Sequence, residues 1–215
     1  MKLTSNVVFA GVCASAMLGS FAIVADTVYE VKTAVGSSQV VNPNGGEFGQ
    51  TIIFANQTEK LLTSFDISYN ANYTRNAGLT IRFYDTDVTG APKNLLFQSD
   101  AQDIKSGFNS VSLTFANAEV PATFAYSVQF NGVDSANTAG LLAPNLAPTR
   151  GFGYNDIWVN DGAGHWTSQV IPGGTPSNPV FSFLSAKVSA VPEPSTYALA
   201  GLAGLALLGA RRFRR

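Results

Sequence analysis

Apolar residues recur at every second position along most of the middle of this 215-residue chain. In one clear run, Phe124, Tyr126, Val128 and Phe130 alternate with smaller or polar residues. A period of two places one face of an extended strand against a core and the other toward solvent. No internal segment sustains the period of 3.6 that an amphipathic helix requires. The pattern therefore predicts an all-β domain of half-buried strands.

About nine short strands are predicted, separated by turns rich in Gly, Asn and Pro. Short strands with polar outer faces and frequent turns are typical of an antiparallel β-sandwich, here of jelly-roll type. Two stretches, residues 133–154 and 162–179, are predicted as long loops, where binding residues often lie. The predicted strands are residues 27–31, 50–54, 64–69, 79–84, 95–98, 111–115, 124–130, 157–159 and 180–188.

The first 25 residues have the features of a secretory signal peptide. Lys2 precedes an uncharged apolar stretch, and the small residue Ala25 stands directly before Asp26. This arrangement predicts cleavage after Ala25, with an uncleaved anchor helix as the alternative. Cys13, the only cysteine, lies in this stretch, so the mature chain would have no disulfide and no catalytic thiol. A lipidation cysteine is a further alternative, which the branched Val12 before it disfavours.

Charge excludes one class of partner. Residues 26–190 hold 13 acidic and 8 basic side chains, a net charge of −5. Nucleic-acid binding requires clustered cations against phosphate, so we expect no nucleic-acid partner.

The other end of the chain combines three features in order. Pro192 and Pro194 flank Glu193, and each proline keeps the preceding residue out of the helical conformation. The uncharged residues 197–210 follow, which are predicted to form a short transmembrane helix whose reach is extended by snorkelling arginines. The positive-inside rule keeps the terminal arginines in the cytoplasm and the domain outside it. These membrane-stop residues are Arg211, Arg212, Arg214 and Arg215.

This end closely resembles the PEP-CTERM protein-sorting signal of exopolysaccharide-producing Gram-negative bacteria. The resemblance implies recognition by an exosortase, which acts near Pro192, Glu193 and Pro194 on an inner-membrane intermediate. The product would be released or attached at the cell surface or in the extracellular matrix. The implied division is a signal peptide at residues 1–25, an ectodomain at 26–190 and the sorting signal at 191–215. A single-pass tail anchor is the alternative.

The ectodomain itself is similar to uncharacterised domains found beside such signals. The similarity lies in residues 79–85, 121–124, 128–132 and 155–158. It implies the β fold and an extracellular location, and it implies no activity.

A dense aromatic group suggests carbohydrate binding. Phe152, Tyr154, Trp158 and Trp166 stand close in sequence, with Asp156 among them. Rings stack on the apolar face of a sugar while carboxylates and amides pair with its hydroxyls. The candidate glycan-binding residues are Tyr154, Asp156, Trp158 and Trp166, although tryptophans of this kind also fill sandwich cores.

Asp85 and Asp87 stand two positions apart, with Gly90 in sixth place, as in the first half of a calcium loop. Leu96 replaces the glutamate needed in twelfth place, which excludes an EF-hand. A hairpin turn is the default interpretation, and a structural calcium completed by distant residues stays open as a weak alternative.

Nothing in the sequence specifies catalysis. His165 is the only histidine, no Gly-x-Ser-x-Gly motif accompanies it, and the glutamates show no distinctive spacing. We therefore expect no enzyme activity and no cofactor. The first hypothesis is a structural or glycan-binding component of the envelope or of an exopolysaccharide biofilm matrix. The alternatives are a secreted polysaccharide hydrolase and an adhesion protein that binds another protein.

Overall fold

The computed structural model describes residues 25–33, 38–41, 46–55, 60–72, 77–134, 136–144, 146–154, 156–170 and 183–192. All regular secondary structure in these residues is β. The strands are β1 (Asp26–Glu30), β2 (Ser38–Val41), β3 (Glu47–Ile53), β4 (Lys60–Asn72), β5 (Gly78–Thr86), β6 (Pro92–Gln98), β7 (Gln102–Asp103), β8 (Gly107–Val120), β9 (Thr123–Asn131), β10 (Thr138–Ala143), β11 (Phe152–Gly153), β12 (Asp156–Asn160), β13 (Trp166–Val170) and β14 (Ala186–Pro192).

These strands form two antiparallel sheets. In the first sheet, the long strand β4 pairs with β8 on one side and with β14 and β10 on the other. β1 and β2 lie outside β14 and β10. The second sheet has the order β13-β12-β3-β9-β5-β6, with β11 beside β3 and β7 beside β5. The predicted all-β, sandwich-like fold is confirmed, and its jelly-roll type stays a prediction.

Aromatic rings from both sheets fill the core. Phe65 of β4 lies 5.1 Å from Phe83 and 5.0 Å from Tyr126, measured between ring centroids. Phe97 and Phe115 meet edge-on at 5.0 Å between β6 and β8. Such tilted and edge-on pairs are preferred over face-to-face stacking. The core residues of β5 and β9 are the alternating apolar positions that the sequence predicts.

Strands also form in regions predicted as loops. β10 lies within the first predicted loop, and five of its six residues are buried. A strand buried on both faces shows no apolar–polar alternation, so a period of two cannot reveal it. β13 lies within the second predicted loop. Of the predicted strand at 180–188, residues 180–182 lie outside the described residues and residues 183–185 form no strand, whereas β14 begins at Ala186 and continues to Pro192.

The two ends of the domain meet in the first sheet. β14 lies between β1 and β4, where Ala190 pairs with Asp26 on one side and with Leu62 on the other. Pro192 is the last residue of β14 and pairs with Lys60. The strand therefore leads directly into the Pro-Glu-Pro sequence.

The predicted signal peptide and transmembrane segment lie almost entirely outside the described residues, which begin at Ala25 and end at Pro192. Among the residues that are described, no helix is long and apolar enough to cross a membrane.

Candidate functional site

A row of small and polar residues crosses the outer face of the second sheet. Arg82 of β5, Ser127 of β9 and Gly49 of β3 occupy neighbouring register positions, followed by Trp158 of β12. They alternate along their strands with core residues, so they face away from the core. A Cβ at Gly49 would collide with the carbonyl oxygen of Tyr126. The backbones of β3 and β9 therefore approach each other too closely at this point for a residue with a Cβ.

Two aromatic side chains meet across this row. Tyr84 of β5 and Trp166 of β13 lie edge to face, with ring centroids 5.4 Å apart and planes at 72°. Three strands separate β5 from β13, a span of about 19 Å in a flat sheet. The sheet must therefore curve, and the two side chains lean toward each other. Tyr84 is 9% exposed, whereas Trp166 is only partly buried, so Trp166 is the more accessible ring.

Glu47 is the charged group beneath this aromatic pair. The Tyr84 hydroxyl donates a hydrogen bond of 2.6 Å to Glu47 Oε1, and the Ser127 hydroxyl donates to the same oxygen. Arg82 Nη1 lies 3.4 Å from Glu47 Oε2, with the two side chains only 17% and 12% exposed. Burial of this degree limits screening by salt. The ion pair is therefore a fixed feature of the outer face.

Burial shapes the chemistry of the tyrosine. It raises the pKa of Tyr84 well above the ordinary value of 10.0, and the hydrogen bond and negative charge of Glu47 add to this effect. The hydroxyl therefore stays protonated at neutral pH and acts as a donor to Glu47.

Two amides extend the polar surface. Arg82 Nε donates to Gln98 Oε1 at 2.7 Å, and Arg82 Nη1 donates to Gln129 Oε1 at 3.1 Å. The guanidinium is therefore held by acceptors on β3, β6 and β9. Guanidinium, amide and carboxylate groups beside the partly buried ring of Trp166 form a donor and acceptor set suited to sugar hydroxyls.

Trp158 is buried and has a different role from Trp166. It is 8% exposed. Its Nε1 donates a hydrogen bond of 3.0 Å to Thr51 Oγ1, which in turn donates to the Gly90 carbonyl at 2.7 Å. The chain of bonds joins β12 to β3 and to the turn between β5 and β6. Trp158 thus stabilises the curved face and offers no open ring for stacking.

The other two predicted glycan residues lie beside this region. Tyr154 is 40% exposed, with its ring against Gly90, and its carbonyl accepts a 2.5 Å hydrogen bond from Gln50. Asp156 accepts a hydrogen bond from Ser168 on the paired strand. Their described contacts do not join them to Trp166. Of the four predicted residues, Trp166 is therefore the accessible ring and Trp158 the buried one. Tyr154 and Asp156 lie beside them.

The candidate calcium residues take part in a hairpin. Asp87 Oδ1 accepts hydrogen bonds from the hydroxyl and the amide of Thr89, at 2.6 and 2.7 Å, and from the amide of Ala91 at 3.0 Å. Asp85 is hydrogen-bonded by the amide and the side chain of Asn94. These bonds lower the pKa of both carboxyls below the ordinary 3.8. Within the described ranges, no group of three or more His, Cys, Asp or Glu side chains is placed to hold a metal ion.

His165 closes a second turn, between β12 and β13. Its Nδ1 lies 2.9 Å from Asp161 Oδ2, and both side chains are largely exposed. Asp161 Oδ1 also accepts hydrogen bonds from the backbone amides of Ala163 and His165. The hydrogen bond from His165 is the main reason that the pKa of Asp161 is lowered. The described contacts of His165 stabilise the turn.

A polar groove of about 720 Å³ lies on the first sheet. Thr33 lies in this groove, and its hydroxyl bonds to those of Ser68 and Ser185 at 2.8 and 2.6 Å. The lining of the groove contains charged and hydroxyl side chains but no aromatic ring. It therefore has no surface for stacking on sugars.

The sequence indicated Trp166 but missed its neighbours. Arg82, Tyr84 and Ser127 occupy outward positions of predicted strands, which are ordinarily solvated. Glu47 precedes a predicted strand and stands 35 residues from Arg82 in the sequence. No local spacing joins them, because the curvature of the sheet brings them together.

The C-terminal end of the chain matches a known protein-sorting motif. Residues 190–215 match the PEP-CTERM protein-sorting motif, which confirms the resemblance at this end of the chain. The motif implies processing by an exosortase and supports export of the protein. No curated protein and no solved structure matches the chain.

Proposed function

We propose that this chain is a non-catalytic surface or matrix protein that binds extracellular glycan through the outer face of its second sheet. The contact between Trp166 and Tyr84, directly beside the Glu47–Arg82 pair, carries the proposal. An aromatic ring next to fixed polar groups is the usual composition of a sugar site. The glycan would lie along Trp166, with its hydroxyls toward Arg82 and Gln98.

The sorting motif supports this function by location. An exported, exosortase-processed protein reaches the space in which polysaccharide is found. In the proposal, the signal peptide is removed after Ala25 and residues 197–210 hold the intermediate in the inner membrane. Processing near Pro194 then delivers a jelly-roll domain to the cell surface or the extracellular matrix. No metal or cofactor takes part.

The arrangement of Glu47 favours binding over hydrolysis. This carboxylate already accepts hydrogen bonds from Tyr84 and Ser127 and is paired with Arg82. A general acid or base needs a carboxyl that can exchange its proton with substrate or water. Glu47 is instead suited to orient its neighbours.

A binding screen tests the proposal. Residues 26–194, which contain every described strand, would be applied to an array of neutral and acidic polysaccharides. Trp166→Ala should weaken binding by about 1–2 kcal/mol, or about 5- to 30-fold in Kd. Phe108→Ala is the matched control, because Phe108 is 74% exposed and lies in the first sheet, away from the proposed glycan face. Gln98→Ala, at an exposed rim position, should weaken binding without affecting the core.

Two outcomes would overturn the proposal. In one, the folded protein binds no polysaccharide on the array. In the other, Trp166→Ala and Gln98→Ala bind as well as the unchanged protein.

A further inference from the structure

The outer edge of β8 is open over a long regular stretch. β8 pairs with β4 on one side, and among the described residues no strand pairs with its other side. Residues 107–114 keep an unbroken register with β4, from Gly107 opposite Ala71 to Thr114 opposite Ser64. The register then shifts, because residues 115–117 lie opposite Thr63 alone. The bulge bends the strand, so the regular open edge ends at Thr114.

Within the part of the chain that the structure describes, this open edge lacks the features that usually prevent strand pairing. Residues 107–114 contain no charged residue and no proline. Edge strands are commonly protected by charges, by proline or by a covering segment. By contrast, the edge strand β1 carries Asp26 and Glu30 and is bridged at Glu30 to Arg150. Phe108, at the open edge, is 74% exposed.

We propose that two copies of this chain associate by antiparallel pairing of residues 107–114 along the open edge. Ser110, Ser112 and Thr114 are exposed with Phe108, whereas Leu113 faces inward. Side chains alternate between the two faces of a strand, and directly paired residues point to the same face of the sheet. The exposed residues of one copy must therefore pair with exposed residues of the other. A two-fold axis at Val111 meets this requirement.

The two-fold arrangement is self-complementary. It pairs Phe108 with Thr114 and Ser110 with Ser112, and each pair occurs twice. A cross-strand pair of an aromatic and a β-branched residue is stabilising, and so is a pair of two hydroxyl residues. Such pairing joins the first sheet of one copy to the first sheet of the other through backbone hydrogen bonds. Because both copies use the same edge, the assembly ends at the dimer.

Charge opposes the association of two copies over most of the surface but not at the open edge. Residues 26–190 carry a net charge of −5, so two copies repel each other in most orientations. The open edge is neutral. The nearest charged residues along the chain are Lys105 and Glu119, which lie beyond opposite ends of residues 107–114. Antiparallel pairing therefore brings Lys105 of one copy to the end at which the other copy carries Glu119.

A charge-exchange experiment tests the dimer. The mass of residues 26–194 would be measured by sedimentation equilibrium over a range of concentrations. One variant would carry Ser110→Lys with Ser112→Lys, and another Ser110→Glu with Ser112→Glu. Both positions are exposed, so circular dichroism should show an unchanged fold. Thr167→Lys with Gln169→Lys, at exposed positions of the edge strand β13, is the matched control.

The unchanged protein and the control should form dimers. Each charged variant alone should be monomeric, because like charges then face each other across the pairing. An equal mixture of the two variants should form mixed dimers again. A monomeric unchanged protein, open-ended assembly, dimers of the lysine variant alone or a monomeric mixture would each overturn the proposal.

Discussion

Asp26, the first residue of β1, pairs with Ala190 of β14, two positions before Pro192. The residue predicted to follow signal-peptide cleavage thus lies beside the first residue of the matched sorting motif. The two predicted processing sites would therefore lie next to each other at one side of the first sheet. A precursor held by both ends would have this side of the domain toward the membrane.

The first prediction concerns the mature ends. Because β1 begins at Asp26 and β14 ends at Pro192, cleavage after Ala25 and near Pro194 removes no described strand. Intact mass spectrometry of the exported protein should show a start at Asp26 and an end near Pro194. Retention of residues after Tyr197 in the mature form would contradict this prediction.

The second prediction concerns β14. Val188 is fully buried, and β14 lies between β1 and β4. A chain of residues 26–185 lacks this strand, so it should show no cooperative thermal unfolding. A chain of residues 26–192 should have the same Tm as one of residues 26–194. Equal melting of the 26–185 and 26–192 chains would show that β14 is dispensable.

Sequence periodicity predicts strands where one face meets solvent. β5 and β9 alternate clearly and form as predicted. β10 escapes detection because it lies between β4 and β2 with both faces largely covered. The displacement of β14 has another cause, since Pro192 is compatible with an extended strand end as well as with a spacer. Local sequence cannot distinguish these two uses of proline.

The candidate site was predictable only in part. The sequence singled out Trp158 and Trp166 equally, and two tryptophans on successive strands of a hairpin carry no local signal that separates them. Their difference arises from tertiary partners, which are Thr51 for one and Tyr84 for the other. The Glu47–Arg82 pair likewise depends on strand order, which periodicity does not encode.

The third prediction uses a buried hydroxyl without a partner. Tyr29 is fully buried, and its hydroxyl has no hydrogen-bond partner among the described residues. Burial raises the pKa of Tyr29 far above the ordinary 10.0, so above about pH 10 only the unfolded chain loses this proton. The free energy of unfolding should therefore fall as pH rises. Tyr29→Phe should be at least as stable at neutral pH and lose about 1 kcal/mol less per pH unit above about pH 10.

Urea unfolding across this pH range measures the effect. Tyr84→Phe is the control at neutral pH, because it removes one of the hydrogen bonds to the buried Glu47 carboxylate, at a cost of about 1–3 kcal/mol. If Tyr29→Phe were the more destabilising of the two, the Tyr29 hydroxyl would have a stabilising partner.

The fourth prediction separates the tryptophans by stability. Trp158→Ala removes a buried ring and a hydrogen bond to Thr51, so it should cost about 3–5 kcal/mol in the free energy of unfolding. Trp166→Ala should cost less, because that ring is only partly buried. Thr51→Val should cost about 1–3 kcal/mol, because it leaves the indole N–H of Trp158 without an acceptor. Equal losses for the two tryptophan variants in chemical denaturation would contradict these assignments.

Isothermal titration calorimetry measures glycan binding at this face. Envelope polysaccharide would be titrated into residues 26–194, into Trp166→Ala and into Phe108→Ala, with each protein shown to be folded. We expect saturable binding by the unchanged protein and by Phe108→Ala, with a Kd about 5- to 30-fold weaker for Trp166→Ala. The same Kd for all three proteins, or no heat of binding from the unchanged protein, would contradict glycan binding at this face.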